Sequence, residues 1–215
     1  MNEKFFDLKK EKQDRMINAA LKVFALNGYR HASTDDIVRE AAISKGLLFH
    51  YFENKLGVYA FVYDYSVRYL LLELSTAVDA KETDLFTLMQ QVETGKMHAM
   101  CGYPYLQPFL NRAQAENVNE ALVAVEERKQ QMEEAYENIY ARADLGKYAA
   151  AEDVVKLRKM MELTIKGLMN ERILEDAFQP EMLYEEILEY LQLSRRLAER
   201  SGPVSYTHLT LPTKL

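Results

Sequence analysis

Residues 33–55 read STDDIVREAAISKGLLFHYFENK, and this stretch decides the fold. Ser33 is a suitable N-cap for a short first helix, with Asp36 in the reciprocal position of a capping box. Ser44, after a tight turn at Ala42 and Ile43, is a suitable N-cap for a second short helix. Two short helices joined by a tight turn predict a helix-turn-helix.

The second of these helices, residues 44–52, separates two kinds of side chain when wound at 3.6 residues per turn. Leu48 and Phe52 share one side and are expected to anchor the helix to a core. Exposed aromatic rings are uncommon on a solvated helix, whereas in the major groove rings contact thymine methyls and cations donate to base edges or phosphates. The pattern therefore predicts a DNA-reading helix. Its outer side carries Lys45, Gly46, Phe49 and His50, with Leu47 and Tyr51 on the flanks.

From about Lys12 to about Val62 the chain resembles the DNA-binding domain of the TetR/AcrR family of bacterial transcriptional regulators. The resemblance is carried by Gly28-Tyr29, Ser33-Thr34, Asp36-Ile37, Ala41-Ala42-Ile43-Ser44-Lys45-Gly46, Leu48-Phe49-His50-Tyr51-Phe52 and Lys55. It implies phosphate contacts at Thr34, Tyr51 and Lys55, and base or sugar contacts at Lys45, Gly46, Leu47, Phe49 and His50. Ser33 and Ser44, at the two helix N-termini, complete the predicted DNA-binding set.

Two residues depart from the family pattern. Ala42 stands where the family usually has glycine, and a left-handed conformation there would cost about 1 kcal/mol. Phe49 stands where a tyrosine is usual, so any phosphate hydrogen bond made by that hydroxyl is lost. We expect these departures to affect half-site preference more than the fold.

The composition is that of an ordinary globular protein, with 215 residues, 48% of them hydrophobic and 28% charged. The net charge is −6, but residues 1–55 hold ten Lys and Arg against eight Asp and Glu, a local charge of +2. The other 160 residues hold seventeen against twenty-five, a charge of −8. This polarity would orient the N-terminal end toward a polyanion.

The same composition bounds the location of the protein. The start of the chain is charged and lacks a long apolar run, so no secretory leader is expected. No 18-residue apolar stretch is present, so no membrane span is expected. The single Cys101 excludes an internal disulfide and fits a reducing cytoplasm. The sequence therefore predicts a cytoplasmic protein.

Helical periodicity predicts an all-α fold of about nine helices, with no strand and no repeat. We expect a three-helix helix-turn-helix domain over residues 1–54 and a helical effector-binding and dimerisation domain over 55–200. Residues 2–10 are expected to form a loose arm or solvated tail. Residues 201–215 contain two prolines and no carboxylate, which predicts a non-native or disordered tail. Expected helices span about 10–26, 55–75, 85–100, 117–143, 152–177 and 181–200, with a short or irregular piece near Pro108.

The last two helices are amphipathic and suit either an intramolecular core or a dimer interface. The family resemblance implies a four-helix bundle across a two-fold axis. A monomer would present one reading helix, whereas two copies about 34–36 Å apart would read successive grooves of a palindrome. We therefore expect a homodimer. The interface candidates are Leu168, Leu183, Ile187, Tyr190, Leu191 and Leu197.

Methionines and aromatic residues in the middle of the chain suit either an effector pocket or ordinary core, because both side chains adapt to hydrophobic ligands. The pocket candidates are Met97, Met100, Cys101, Tyr103, Tyr105, Phe109, Tyr136, Tyr140, Met160 and Met161. His98 lies three residues before Cys101, but no second metal-ligand cluster or activating partner accompanies them. We expect no catalytic residue, metal site or cofactor.

Together these features predict a dimeric, DNA-binding transcriptional repressor that a small hydrophobic effector releases from a palindromic operator. An activator of the same architecture is one alternative. A helical small-molecule-binding or enzymatic protein, whose N-terminal domain mediates protein contacts, is the other.

Overall fold

A computed structural model describes residues 3–148, 150–174 and 178–200. These residues form nine α-helices and two short 3-10 helices, at Glu3–Asp7 and Leu145–Lys147, and contain no strand. The all-α prediction is confirmed, and the tail predicted at 201–215 lies outside the described residues. The helices are α1 Lys10–His31, α2 Thr34–Ala41, α3 Lys45–Phe52, α4 Lys55–Ala77, α5 Leu85–Gly102, α6 Leu106–Gln114, α7 Asn119–Tyr140, α8 Ala151–Arg172 and α9 Pro180–Arg200.

Helix α1 is longer than predicted, because the chain resumes one helical turn after a break at Gly28. This glycine has φ 67° and ψ 175°, a conformation that side-chain-bearing residues rarely adopt. The side chain of Arg112, from α6, lies directly against it. The helix predicted to end near residue 26 thus kinks at Gly28 and continues to His31, at the place where α1 meets α6.

The N-terminal segment is not the loose arm that we expected. Phe5 is fully buried, and its ring packs against those of Tyr51, Phe52 and Phe61 at centroid distances of 5.0–5.6 Å. An aromatic side chain contributes a large buried area, which outweighs the polar character of its neighbours in the sequence. Phe5 therefore belongs to the core that supports α3, while the neighbouring Phe6 is 53% exposed.

Two hydrophobic cores hold the helices together. The first joins α1–α4 to α6 and α7, and the rings of Phe24, Tyr59 and Phe109 meet at its centre. The second lies between α5, α8 and α9, around residues such as Met161 and Ile187. Helix α4, apolar nearly all round, packs against α1, α5, α6 and α7, as such a helix must. The first core therefore continues across the proposed boundary between residues 54 and 55.

Candidate functional site

Both predicted N-caps of the helix-turn-helix are confirmed. The Ser33 hydroxyl accepts a hydrogen bond from the Asp35 N–H at 3.1 Å, and the Ser44 hydroxyl accepts one from the Leu47 N–H at 3.2 Å. The reciprocal half of the first capping box is absent from the described hydrogen bonds, because the Asp36 carboxylate accepts from Arg39 instead. The local sequence thus fixes where α2 and α3 begin.

The turn between α2 and α3 depends on Ala42 in a left-handed conformation, with φ 51° and ψ 51°. Its N–H donates to the Arg39 carbonyl, and the following Ile43 N–H donates to the Val38 carbonyl at 3.0 Å. These bonds close the end of α2 in the manner of a left-handed C-cap. The alanine therefore carries the strain that the sequence led us to expect.

Helix α3 has the predicted orientation. Leu48 and Phe52 are 1% and 3% exposed, whereas Lys45 and His50 are exposed to solvent. Two further members of the outer face, Leu47 and Phe49, are half-buried. The role of this face in DNA binding stays a prediction.

Tyr51 does not lie on a flank of α3, as we expected, but on its buried side. Only 7% of the residue is exposed, and its ring meets Phe5 edge-on at 5.6 Å. The buried ring of Phe5 provides this packing surface, which the sequence did not predict. The ring therefore helps to hold α3, and a phosphate contact is not its main contribution.

The exposed face of α3 carries Lys45, which forms a solvent-exposed ion pair with Asp35. The Lys45 ammonium lies 2.7 Å from the Asp35 carboxylate, and both side chains are at least half exposed. An exposed pair of this kind contributes little stability, so an incoming phosphate or base can replace the carboxylate. Gly46 has no atom within 4 Å of the position that a Cβ would take, so it leaves open space beside Lys45.

Lys55, predicted to contact phosphate, is engaged within the chain. Its ammonium donates to the carbonyls of Tyr29 and Ala32 at 2.8 and 3.3 Å, and lies 4.4 Å from the centroid of the Tyr29 ring. A cation is favoured at the carbonyl end of a helix. The Lys55 ammonium occupies this position at the C-terminal end of α1. Any phosphate contact would compete with this capping role.

Helices α3 and α4 are joined by a very short and closely packed connection. The Asn54 side chain caps α4 by accepting from the Gly57 N–H at 2.8 Å. A Cβ at Gly57 would overlap the carbonyl oxygen of Phe52, the last residue of α3. Glycine therefore allows the first turn of α4 to touch the end of α3.

A second junction connects α1 to the segment between α6 and α7. The Tyr29 N–H donates to Glu116 at 2.9 Å, and the Tyr29 hydroxyl donates to Glu120 at 2.6 Å. Burial opposes ionisation of Glu116, but the N–H groups of Asn117, Tyr29 and Val118 hold its pKa below the ordinary value. The carboxylate thus ties the helix-turn-helix to the helical domain.

A cavity of about 440 Å³ lies between α5, α6, α7 and α8, within the size range of small-molecule sites. Only Tyr136 and Tyr140 of the ten predicted pocket residues line it. The other lining residues are mostly charged or carry amides: Met89, Glu93, Lys96, Gln107, Asn111, Gln114, Glu137, Ala141, Arg158, Glu162, Ile165, Lys166 and Met169.

The other eight pocket candidates do not line this cavity, because the rotation of each helix turns those side chains elsewhere. Phe109 lies in the first core, and Met100 and Met161 lie in the second. The Tyr103 hydroxyl donates to Asp14 at 2.6 Å, on the far side of α5. The remaining four, Tyr105, Met160, Met97 and Cys101, also lie away from the cavity. The Tyr105 ring lies beneath the Lys22 ammonium, and Met160 is exposed on α8. Met97 contacts Cys101, which is exposed.

Sequence reasoning missed the charged pair in the cavity wall. Glu93 is buried, and its carboxylate lies 2.7 Å from the Lys96 ammonium, which is itself 84% covered. The sequence did contain a signal for this pair: Glu93 and Lys96 carry opposite charges three residues apart, on the same face of α5. Selecting only apolar residues for a hydrophobic effector concealed it.

Three of the dimer-interface predictions are also corrected. Leu183, Ile187 and Leu191 are buried in the second core, between α9 and its neighbours α5 and α8. Their regular leucine-type spacing is therefore used within one chain. Leu168 is half-buried, while Tyr190 and Leu197 are exposed.

A different apolar row is exposed on the outer sides of the last two helices. We call this the outer row of α8 and α9. It holds Met160 and Leu163 on α8, and Met182, Tyr190 and Leu193 on α9, each between 39% and 64% exposed. Large exposed apolar patches mark interaction sites more often than isolated apolar residues do.

Metal sites and membrane-spanning helices are both absent from residues 3–148, 150–174 and 178–200. No group of three or more His, Cys, Asp or Glu side chains in those ranges could hold a metal ion. No helix in them is both long and apolar enough to cross a membrane.

Comparison with known proteins points in one direction. Residues 16–60 match the family described as bacterial regulatory proteins, tetR family. YuxN of Bacillus subtilis (strain 168), an uncharacterised HTH-type transcriptional regulator, is 36% identical over 78 residues. That alignment covers 34% of this chain and only 26% of the length of YuxN.

Solved structures extend the likeness to the whole fold. A TetR family transcriptional regulator from Chloroflexus aurantiacus J-10-FL superposes with a TM-score of 0.56 at 23% identity, covering 92% of this chain and 93% of its own. A tetR family transcription regulator from Shewanella sp. PV-4 gives 0.55 at 14% identity, covering 89% and 97%. Identities this low show a shared fold. This chain thus carries a TetR-type N-terminal domain at residues 16–60, on a fold that it shares with regulators of that family.

Proposed function

We propose that the protein is a dimeric transcriptional repressor, which binds a palindromic operator through α3 of each subunit and is released by a small effector. The observation that carries this proposal is the orientation of α3. Leu48 is buried while Lys45, Gly46 and His50 face solvent, on a domain of TetR type. A protein that binds the bacterial chromosome would act in the cytoplasm.

The proposed DNA contacts divide into two groups. Lys45 and His50 can donate to base edges, with Gly46 permitting close approach and Leu47 and Phe49 offering apolar contact. Ser33, Thr34 and Ser44 lie at the two helix N-termini, where backbone N–H groups favour phosphate. Tyr51 and Lys55 chiefly support the domain from within.

The proposed dimer uses the outer row of α8 and α9. Pairing this row with its copy across a two-fold axis would form a four-helix bundle and remove the exposed apolar surface from water. Leu183, Ile187 and Leu191, which the sequence predicted for the interface, already serve the second core. A dimer is also what the reading of two half-sites requires.

Helix α6 is suited to couple the cavity to α1. Gln107 and Asn111 line the cavity, while Arg112 on the same helix lies against the kink at Gly28. A ligand that moved α6 would therefore displace α1 and the helices that α1 supports. The size of the effect is limited by the ligand's difference in affinity between the two states.

Fluorescence anisotropy with labelled duplexes tests the DNA-binding part of this proposal. Thr34→Ala should weaken binding on all sequences and flatten its dependence on salt, because a phosphate contact is lost. Lys45→Ala and His50→Ala should change the preferred sequence. His98→Ala, on α5, serves as the control and should change neither. If Lys45→Ala and His50→Ala both bound every duplex as the wild type does, α3 would not be the reading helix.

A further inference from the structure

Two buried polar atoms in the wall of the cavity lack hydrogen-bond partners. They are the hydroxyl oxygen of Tyr136 and the amide oxygen of Gln107. Only one other side-chain atom among the described residues shares this condition, on Asn18. The other end of the Gln107 amide is satisfied, because its NH2 donates to Asn111 at 2.9 Å. Buried polar groups without partners are costly, so their position in a cavity indicates a ligand that supplies the missing bonds.

The charged groups around these atoms are already matched. Lys96 pairs with Glu93 at 2.7 Å, and Arg158 pairs with Glu162 at 3.0 Å. Burial lowers the pKa of Lys96, but the Glu93 carboxylate outweighs this and holds it above its ordinary value. The cavity therefore contains a charged pair that an ionic ligand would have to disrupt.

The remaining charged groups of the lining give no net preference for an ion. The Lys166 ammonium donates to the Gln114 amide oxygen at 2.8 Å, and Glu137 is exposed. With the two pairs, the lining holds three cations and three carboxylates. Burial also raises the pKa of Tyr136, so its phenol stays protonated and remains a donor at neutral pH.

We propose that the cavity binds a neutral amphipathic ligand with an acceptor for the Tyr136 hydroxyl and a donor for the Gln107 amide oxygen. Amides and hydroxylated aromatic compounds belong to this chemical class. The apolar part of the ligand would lie against Met89, Ile165 and Met169, which supply the hydrophobic wall. This inference rests on the proposed function, because it specifies the class of the effector.

The free protein offers a first test that needs no ligand. Tyr136→Phe keeps the ring, which lies 5.5 Å from the Lys96 ammonium, and removes only the unpartnered hydroxyl. Its melting temperature should equal or exceed that of the wild type. Tyr103→Phe is the matched control and should melt lower, because that hydroxyl bonds to Asp14 and Tyr65. A lower melting temperature for Tyr136→Phe would show that its hydroxyl is already satisfied, contrary to the proposal.

The second test screens equal numbers of neutral, anionic and cationic aromatic fragments of matched size by ligand-observed NMR. Neutral fragments with both a donor and an acceptor should dominate the hits, and Tyr136→Phe and Gln107→Met should each weaken them at least about fivefold. Operator binding of both variants without fragment should match the wild type, which separates this result from a failure of DNA recognition. A majority of charged hits, neutral hits unaffected by both variants, or no hits at all would overturn the proposal.

Discussion

Individual side chains of the helix-turn-helix were the most predictable part of the protein. The caps at Ser33 and Ser44 and the burial of Leu48 follow from neighbours within four residues, so the local sequence determines them. The burial of Tyr51 depends on Phe5, 46 positions earlier, and the capping of α1 by Lys55 depends on Tyr29. Contacts across such distances leave no periodic signal in the sequence.

Ala42 provides a prediction about stability at this scale. Its left-handed conformation strains an alanine but not a glycine, so Ala42→Gly should stabilise the protein by up to about 1 kcal/mol. Ala25→Gly, inside α1, is the control and should destabilise it by a similar amount. Urea unfolding followed by circular dichroism measures both. Destabilisation by Ala42→Gly would mean that the methyl group contributes more than the strain costs.

At the scale of helices, the sequence predicted the number and order of the elements but not all their limits. Helix α6 is the short helical piece that was expected near Pro108, and it runs from Leu106 to Gln114. The proline stands in the first turn, where its missing N–H has no helical partner in any case. The short helix Glu3–Asp7 and the burial of Phe5 were missed, because charged residues flank the Phe5-Phe6 pair and no apolar periodicity marks the segment.

The junction between α1 and the α6–α7 segment predicts a dependence on pH. Because the pKa of Glu116 is lowered on folding, its contribution is present above the ordinary value near 4.5 and is lost as the pH falls below it. Glu116→Gln should melt about 2–4 °C lower than the wild type at pH 7, with a smaller difference near pH 3.

Differential scanning calorimetry across this pH range measures the difference. Glu127→Gln is the control, because Glu127 is exposed on α7 and should leave the melting temperature unchanged at every pH. A deficit of Glu116→Gln that grew as the pH fell would contradict the assignment of this carboxylate.

At the scale of the whole molecule, the cavity and the interface were the least predictable features. Both depend on how far each helix is rotated about its axis. Helix α9 is apolar on two sides, so the leucines of either side could have faced a second subunit. The inner side, with Leu183, Ile187 and Leu191, fills the second core. The outer side, with Leu193, is left exposed.

The outer row of α8 and α9 predicts the response of the dimer to mutation. Leu163→Lys and Leu193→Lys should each convert a dimer into a folded monomer, because an unpaired charge would be buried in the interface. Sedimentation velocity at about 10 µM subunit, within the range where standard interfaces associate, measures the change. Val123→Lys, at an exposed apolar site on α7, should remain dimeric. Dimers of equal stability in all three variants would place the interface elsewhere.

Selection of bound sequences from a pool of random duplexes tests most directly whether α3 of a dimer reads DNA. The wild type should enrich a palindrome with half-site centres about 10–10.5 base pairs apart, or a multiple of that spacing. His50→Ala, which removes an exposed side chain and leaves Leu48 in place, should enrich a different base in each half-site. Failure of the wild type to enrich any sequence, or the same selected bases with His50→Ala, would contradict this account.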